Sequence, residues 1–289
     1  MNGKHASWDS LEIRDEEGIA DGCDHSWICT TLIPQQRHGH AAVSARETPH
    51  VDSGASRPSQ HHTRSIQEHT MSLQLYAHPF SSYSQKVLIA LYENDTPFEF
   101  RILDGEDSPN TRRFASLWPI RRFPVLLDGT RMVIEASSIV EYLGLRFPGP
   151  VRLIPEDAEA ALEVRMLDRF FDNYVSTPQQ KIVFDSLRPE PVRDAHGVAE
   201  ARAMLETAYA WLDTRMHDRQ WAVGGHFSLA DCGAAPFLFY ADWTHAIDAS
   251  FANLHAYRKR LLARPSVVRA VDEARPYRAY FPLGAPDRD

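Results

Sequence analysis

Leu73-Gln74-Leu75-Tyr76-Ala77-His78-Pro79-Phe80-Ser81-Ser82-Tyr83-Ser84-Gln85-Lys86-Val87 changes its period part-way along, and that change decides the fold. Leu73 to Ala77 alternates like a half-buried strand. Pro79 ends it, Ser81 and Ser82 open a helix, and Val87, Leu88, Leu91 and Tyr92 then recur at helical spacing. Working outward, Phe98 to Leu103 alternates again as a second strand, and Thr111 to Leu117 reads as a short helix or turn. Pro124 to Leu127 is a third strand, Asp128-Gly129 is a hairpin signal, and Met132 to Ile134 is the returning strand. A helix carrying Ile139, Tyr142 and Leu143 on one face follows. The order is βαβ, helix, ββα.

The proline- and glycine-rich stretch at 149–156 reads as a linker, and everything from 157 to 289 looks helical. Leu162, Met166, Phe170 and Tyr174 recur at i+4, as do Ala201, Leu205, Ala208, Leu212 and Met216. Both stripes read as core. Strands first and helices after predict two segregated domains, 71–148 and 157–289. Residues 1–70 differ: they are rich in Ser, Gly and charge, hold eight histidines, and sustain no apolar period. They read as a disordered leader, with Met71 as the natural start.

A net charge of −8 disfavours general nucleic-acid binding, which needs a basic surface. The three cysteines, Cys23, Cys29 and Cys232, are too few and too oddly spaced for a disulfide framework or a common zinc site. No metal is expected. No signal-peptide pattern or membrane-length apolar run is evident, so a cytoplasmic location and no membrane partner are expected.

Three junctions have residues suited to chemistry. At Ser81-Ser82 two hydroxyls stand at a helix N-terminus, where free N–H groups and the helix dipole favour an anion and lower the pKa of a thiol. The alternative is a plain N-cap. In Arg121-Arg122-Phe123-Pro124, a proline opens a strand; a cis bond there would let Phe123 pair through its backbone with an extended peptide, and the arginines can meet a carboxylate. Ile134-Glu135-Ala136-Ser137-Ser138 puts an acid and two hydroxyls in the first turn of a helix, where they can grip an ammonium and a carboxylate or simply cap their own helix.

In this order and spacing, the segments from 71 to 280 resemble the soluble glutathione transferase family, nearest its bacterial-type serine members of the zeta and theta classes. The resemblance implies a thioredoxin-like domain followed by an all-helical domain. It implies glutathione as co-substrate, with Ser81 hydrogen-bonding its sulfur; Tyr76, at the strand end, is the rival, because some classes use a tyrosine there. Ser82, Arg122, Phe123, Pro124, Glu135, Ala136 and Ser137 fall at glutathione-binding positions. Ala136 stands where the family has a serine, which puts affinity in doubt, and Trp118-Pro119 replaces the usual Asn-Pro. The electrophile pocket, between the two domains, would draw on Met166, Arg169, Phe170 and Tyr174. Gly224 to Asp231 resembles the family's capping motif, with Ser228 and Asp231 as the box. Cys232 reads as a buried small hydrophobe.

The expected activity is therefore glutathione transfer to a small hydrophobic electrophile, as in detoxification, by a homodimer. A zeta-like glutathione-dependent isomerase is one alternative, weakened by Tyr83 where that class has cysteine. A non-catalytic binding or regulatory protein on the same fold is another.

Overall fold

The computed structural model describes residues 73–289. The leader expectation for 1–70 and the start at Met71 lie outside the described residues. Strands β1 (Leu73–Ala77), β2 (Phe98–Ile102), β3 (Val125–Asp128) and β4 (Arg131–Ile134) form one sheet in the order β2-β1-β3-β4. β1 runs parallel to β2 and antiparallel to β3; β3 and β4 form the hairpin, with Asp128 opposite Arg131 and Gly129 at φ 63° in the turn. Helices α1 (Ser82–Glu93), α2 (Pro109–Leu117) and α3 (Ala136–Arg146) complete a thioredoxin-like unit. The βαβ, helix, ββα order is the one read from the periodicity.

The second unit is helical: α4 (Ala158–Phe170), a π-helical turn (Phe171–Ser176), α5 (Thr177–Ser186), α6 (Ala195–Arg215), α7 (Leu229–Thr244), α8 (Ala252–Leu262) and α9 (Pro265–Ala274). Its centre is α7, whose residues are all buried. Asp231 anchors the start of α7. Its Oδ2 accepts the Ser228 N–H and hydroxyl at 2.9 Å each, and its Oδ1 accepts the Ala222 N–H at 2.9 Å and the Tyr257 hydroxyl at 2.6 Å. Cys232 beside it is fully buried, and burial raises its thiol well above the usual range, as expected of a packing residue.

α1 is the joint between the units, packed on the sheet and α3 on one side and on α7 and α9 on the other. Every residue from Ser84 to Leu91 is therefore buried, including the polar Gln85 and Lys86. Tyr76 points to the opposite face of the sheet, into a small core with Leu103, Phe114, Val125 and Leu127.

One core expectation is corrected. Leu162, Met166 and Tyr174 are 62%, 54% and 46% exposed, and the face of this region that packs inward holds Ala161, Val164, Leu167, Asp168, Phe171 and Val175. Leu162 and Met166 lie on the solvent face of α4; for Tyr174, which follows Phe170, the π turn is part of the reason. Its i→i+5 bonding inserts one extra residue per turn, so a stripe counted at i+4 through Phe170 to Tyr174 drifts around the helix. The second stripe is borne out: Ala201, Leu205, Ala208, Leu212 and Met216 are all buried.

Candidate active site

A cavity of about 500 Å³ opens between the two units. On the thioredoxin-like side, the β1–α1 turn supplies His78, Phe80, Ser81, Ser82 and Tyr83; the approach to β3 supplies Trp118, Arg122, Phe123 and Pro124; the β4–α3 junction supplies Ile134, Glu135 and Ala136. On the helical side, Arg169, Asp172 and Asn173 come from the end of α4 and the π turn, and Gln179, Gln180, Val183 and Phe184 come from α5. Tyr240 of α7 and Phe281 close the remaining wall. The three sequence-predicted junctions thus share one cavity.

Ser81 is the N-cap of α1. Its backbone is extended and its Oγ accepts the Ser84 N–H at 3.4 Å. Capping uses a lone pair, so the hydroxyl proton is still available to a ligand. Just before it, His78 is buried and accepts the Phe80 N–H on Nδ1 at 3.2 Å, which puts its ring proton on Nε2. Burial lowers its pKa to about 4, so it is neutral at physiological pH. Its ring packs edge-on to Tyr277 at 4.6 Å.

The Phe123–Pro124 bond is cis. Arg122 is exposed at the cavity wall and has no ion-pair partner among the described residues. Glu135 has a φ of 66°, in the left-handed region, which costs a non-glycine residue about 1–3 kcal/mol. Its side chain makes no bond to the helix it precedes, so the plain-cap alternative does not describe it. Such an outlier, its carboxylate without a hydrogen-bond or ion-pair partner among the described residues, is the pattern expected where backbone strain serves a binding role.

Ser137 is spoken for elsewhere. Its Oγ accepts Lys86 Nζ at 2.9 Å and donates to Asp168 Oδ2 at 2.7 Å, with Arg169 also in contact. It does not line the cavity. Lys86 itself is completely buried and pairs with Asp168 at 2.5 Å and Asp172 at 3.1 Å; Arg169 pairs with the same two acids from the cavity side. Burial raises the Asp172 pKa and Lys86 opposes that rise. Burial, then the Asp172 charge, pushes Tyr83 up to about 12, so it remains a neutral phenol.

Of the four residues expected in the electrophile pocket, the structure brings only Arg169 to the cavity. Met166 and Tyr174 face solvent, and Phe170 packs against Phe171, Tyr174 and Trp211. The rival Tyr76 is buried on the far face of the sheet, away from the cavity. Sequence reasoning missed Asp172, Gln179, Tyr240 and Phe281. Lys86 did carry a signal, as a lysine immediately before the apolar run Val87 to Leu91.

Residues 75–151 match the family model described as "Glutathione S-transferase, N-terminal domain", and 195–260 match "Glutathione S-transferase, C-terminal domain". A solved glutathione S-transferase from Methylobacterium radiotolerans, in complex with glutathione sulfonate, is 31% identical; the match covers 69% of this chain and 94% of that one, with a TM-score of 0.61. This chain is a member of the glutathione S-transferase family. Its curated relatives include human glutathione S-transferase theta-1, 28% identical over 59% of this chain and 73% of the relative. They also include a probable maleylacetoacetate isomerase from Vibrio cholerae, 26% identical over 71% of this chain and 98% of the relative. The glutathione S-transferase fold, a thioredoxin-like unit followed by a helical one, is therefore both read from the sequence and found in the structure.

Proposed function

We propose that this glutathione S-transferase family member is an active transferase, attacking a small hydrophobic electrophile with the thiolate of bound glutathione. The observation that carries this reading is that Ser81, Phe123-Pro124 and Glu135 line a single cavity at the N-terminus of α1. In it, the Ser81 hydroxyl donates to the sulfur, and the α1 N-terminus lowers the thiol pKa. Phe123, ahead of Pro124, pairs with the cysteinyl backbone, Arg122 meets the glycyl carboxylate, and Ser82 flanks the thiol. Glu135 takes the γ-glutamyl ammonium, while the first-turn N–H groups at Ala136 and Ser137 face its carboxylate. Ser137 contributes through its backbone and through its bond to Lys86, not through a hydroxyl in the cavity. Positioning and thiolate stabilisation are the chemistry supplied. The reading assigns no metal.

Calorimetric titration of glutathione into the full chain and into Ser81→Ala tests it. Binding in both proteins is expected, with the ultraviolet thiolate absorbance of the bound peptide lost only in Ser81→Ala. No binding at millimolar glutathione would reject the transferase and favour a non-catalytic member.

The isomerase reading draws on the relationship to the Vibrio cholerae protein and on the Ser81-Ser82 pair; turnover of a maleylacetoacetate-like substrate would favour it over conjugation. The reading includes a cytoplasmic homodimer. Leu145 of α3 and Leu162 and Met166 of α4, all strongly exposed, support a partner on that side, and a monomer mass by sedimentation would remove it. Among the described residues no helix is long and apolar enough to cross a membrane.

A further inference from the structure

Residues 275–289 leave α9 as a short 3-10 helix (Arg275–Tyr280) and continue without regular structure. Phe281 is the residue of this stretch that reaches the cavity. Its ring is buried against Trp243 at 5.4 Å and Tyr240 at 6.3 Å. Full burial stops there. Pro282 to Asp289 are all half-buried or exposed. Gly284, at φ 80°, turns the chain back, and its N–H donates to the Phe281 carbonyl at 3.0 Å.

Ion pairs hold the segment down. The Asp289 carboxylate accepts Arg275 Nη1 at 2.9 Å and Nη2 at 2.5 Å, and Arg278 Nη1 at 3.1 Å. Arg278 Nη2 donates to the Arg288 carbonyl at 2.8 Å and to the Pro286 carbonyl. Arg288 in turn reaches α7: its Nη1 pairs with Asp242 Oδ2, and its Nη2 donates to the Asp242 carbonyl at 3.1 Å. The side chains of Arg275, Arg288 and Asp289 are 44%, 44% and 36% exposed, where ion pairs are weak and screened by salt. Opening these contacts strands no buried charge. Asp242, the buried member, keeps Arg258 at 3.2 Å. Arg275 keeps Asp272 at 2.8 Å, and Arg278 keeps the Trp243 ring, 4.8 Å away.

We propose that residues 282–289 are a strap whose ionic clasp, Asp289 on Arg275 and Arg278 and Arg288 on Asp242, holds Phe281 in the cavity wall, so that ionic strength sets how often this wall opens. The coupling is through the chain itself. Arg278 and its acceptors at Pro286 and Arg288 tie together the two ends of the loop that carries Phe281. With the clasp closed, that loop is a small ring with little freedom. With the clasp screened, Phe281 sits on a free segment, whose regained entropy favours its departure from Tyr240 and Trp243. The inference concerns how the cavity opens, not what it binds, and it goes beyond the transferase reading without resting on it.

Trace chymotrypsin on the full chain tests it. Cutting the Tyr280–Phe281 bond requires Phe281 to leave the wall, and when reclosing is fast the cleavage rate tracks the population of the open form. Release of the peptide Phe281–Asp289 is followed by mass spectrometry at about 0.01 M and about 1 M sodium chloride, where the screening length falls from about 30 to about 3 Å. Rates are normalised to an unstructured peptide substrate in the same salt. In low salt, Asp289→Asn and Arg288→Gln should each be cut at least about threefold faster than the parent, and Asp289→Glu at about the parent rate. High salt should speed the parent by a similar factor and Asp289→Asn by less, because its clasp is already half gone. That loss of salt response is what a merely structural role would not produce. A parent rate that does not change with salt would overturn the proposal, as would an Asp289→Asn rate equal to the parent's in low salt. Glutathione titration of the same samples is read separately: a chain that binds no glutathione but shows the salt response loses the transferase and keeps the strap, and the reverse result loses the strap alone.

Discussion

Replacing Lys86 with methionine keeps the methylene packing of the side chain and removes one charge from a dry cluster. Lys86, Asp168 and Asp172 have side chains 0%, 2% and 11% exposed, and Lys86 Nζ lies 2.5 and 3.1 Å from the two carboxylates. At an effective dielectric near 20, attractions at these distances are about 5–7 kcal/mol each, largely offset by the cost of dehydrating the ions. Deleting one partner leaves that cost uncompensated, and Arg169 becomes the single cation serving two acids. Ser137 also loses one of its two donors, Arg169 being the other. Lys86→Met should therefore destabilise the fold by about 3–5 kcal/mol at neutral pH. For a structured region of this size, that is roughly 6–20 °C in Tm. The pH dependence gives a second, independent check. Burial raises the Asp172 pKa in the folded state. A carboxyl raised on folding contributes most favourably below its unfolded pKa, and that contribution is lost as pH rises through the folded value. Without Lys86 the folded value climbs further, so the deficit of the variant should be largest at neutral pH and should shrink as pH falls toward about 5. Denaturant unfolding of both proteins at the two pH values measures this. A variant within about 1 kcal/mol of the parent at neutral pH, or a deficit that does not shrink on acidification, would refute the reasoning.

Ala136→Ser places a hydroxyl in the first turn of α3 beside the cavity, and a hydrogen bond to a charged group is worth about 1.5–3 kcal/mol. Calorimetry should show glutathione affinity rising about tenfold or more; no gain would mean that the backbone N–H groups already saturate the carboxylate. Glu135→Ala and Glu135→Gly should both abolish measurable glutathione binding. The glycine variant should be the more stable of the two by about 1 kcal/mol, because only glycine relieves the cost of the 66° φ. Equal thermal stability would show that this backbone carries no strain.

What was legible in the sequence is what depends on near neighbours. The period change at Pro79, the Asp128-Gly129 turn and the Ser228–Asp231 box each act over a few residues, and each is found in place. The junctions at Ser81, Phe123-Pro124 and Glu135 were legible as candidates for the same reason, and the sheet then brings them to one cavity. Two kinds of information were not available. An i+4 stripe states that a helix has an apolar face but not what covers it, so Met166, on the exposed face of α4, was assigned to a pocket it does not reach; for Tyr174 the π turn after Phe170 also broke the count. Long-range polar pairing is silent in local spacing. Lys86 meets Ser137 and Asp172 at separations of 51 and 86 residues, and Gln85 meets Tyr240 at 155.

Those long-range pairs give α1 a role that its N-terminus alone does not. Gln85 and Lys86 are consecutive, so their side chains leave the helix about 100° apart. Gln85 reaches Tyr240 on α7, and Lys86 reaches Ser137 at the start of α3 together with the acids of α4 and the π turn. One turn of α1, directly below Ser81, is thereby fixed to both walls of the cavity. In the proposed transferase, the wall at α3 holds the peptide that carries the thiol, and Tyr240 of α7 lines the space left for its acceptor. The distance between sulfur and reacting carbon is then set by one rigid helical turn rather than by loops, which is the condition under which positioning contributes most to rate. A change at Lys86 should accordingly be felt first in glutathione binding, and a change at Gln85 first in the acceptor, although the two residues are adjacent in the chain.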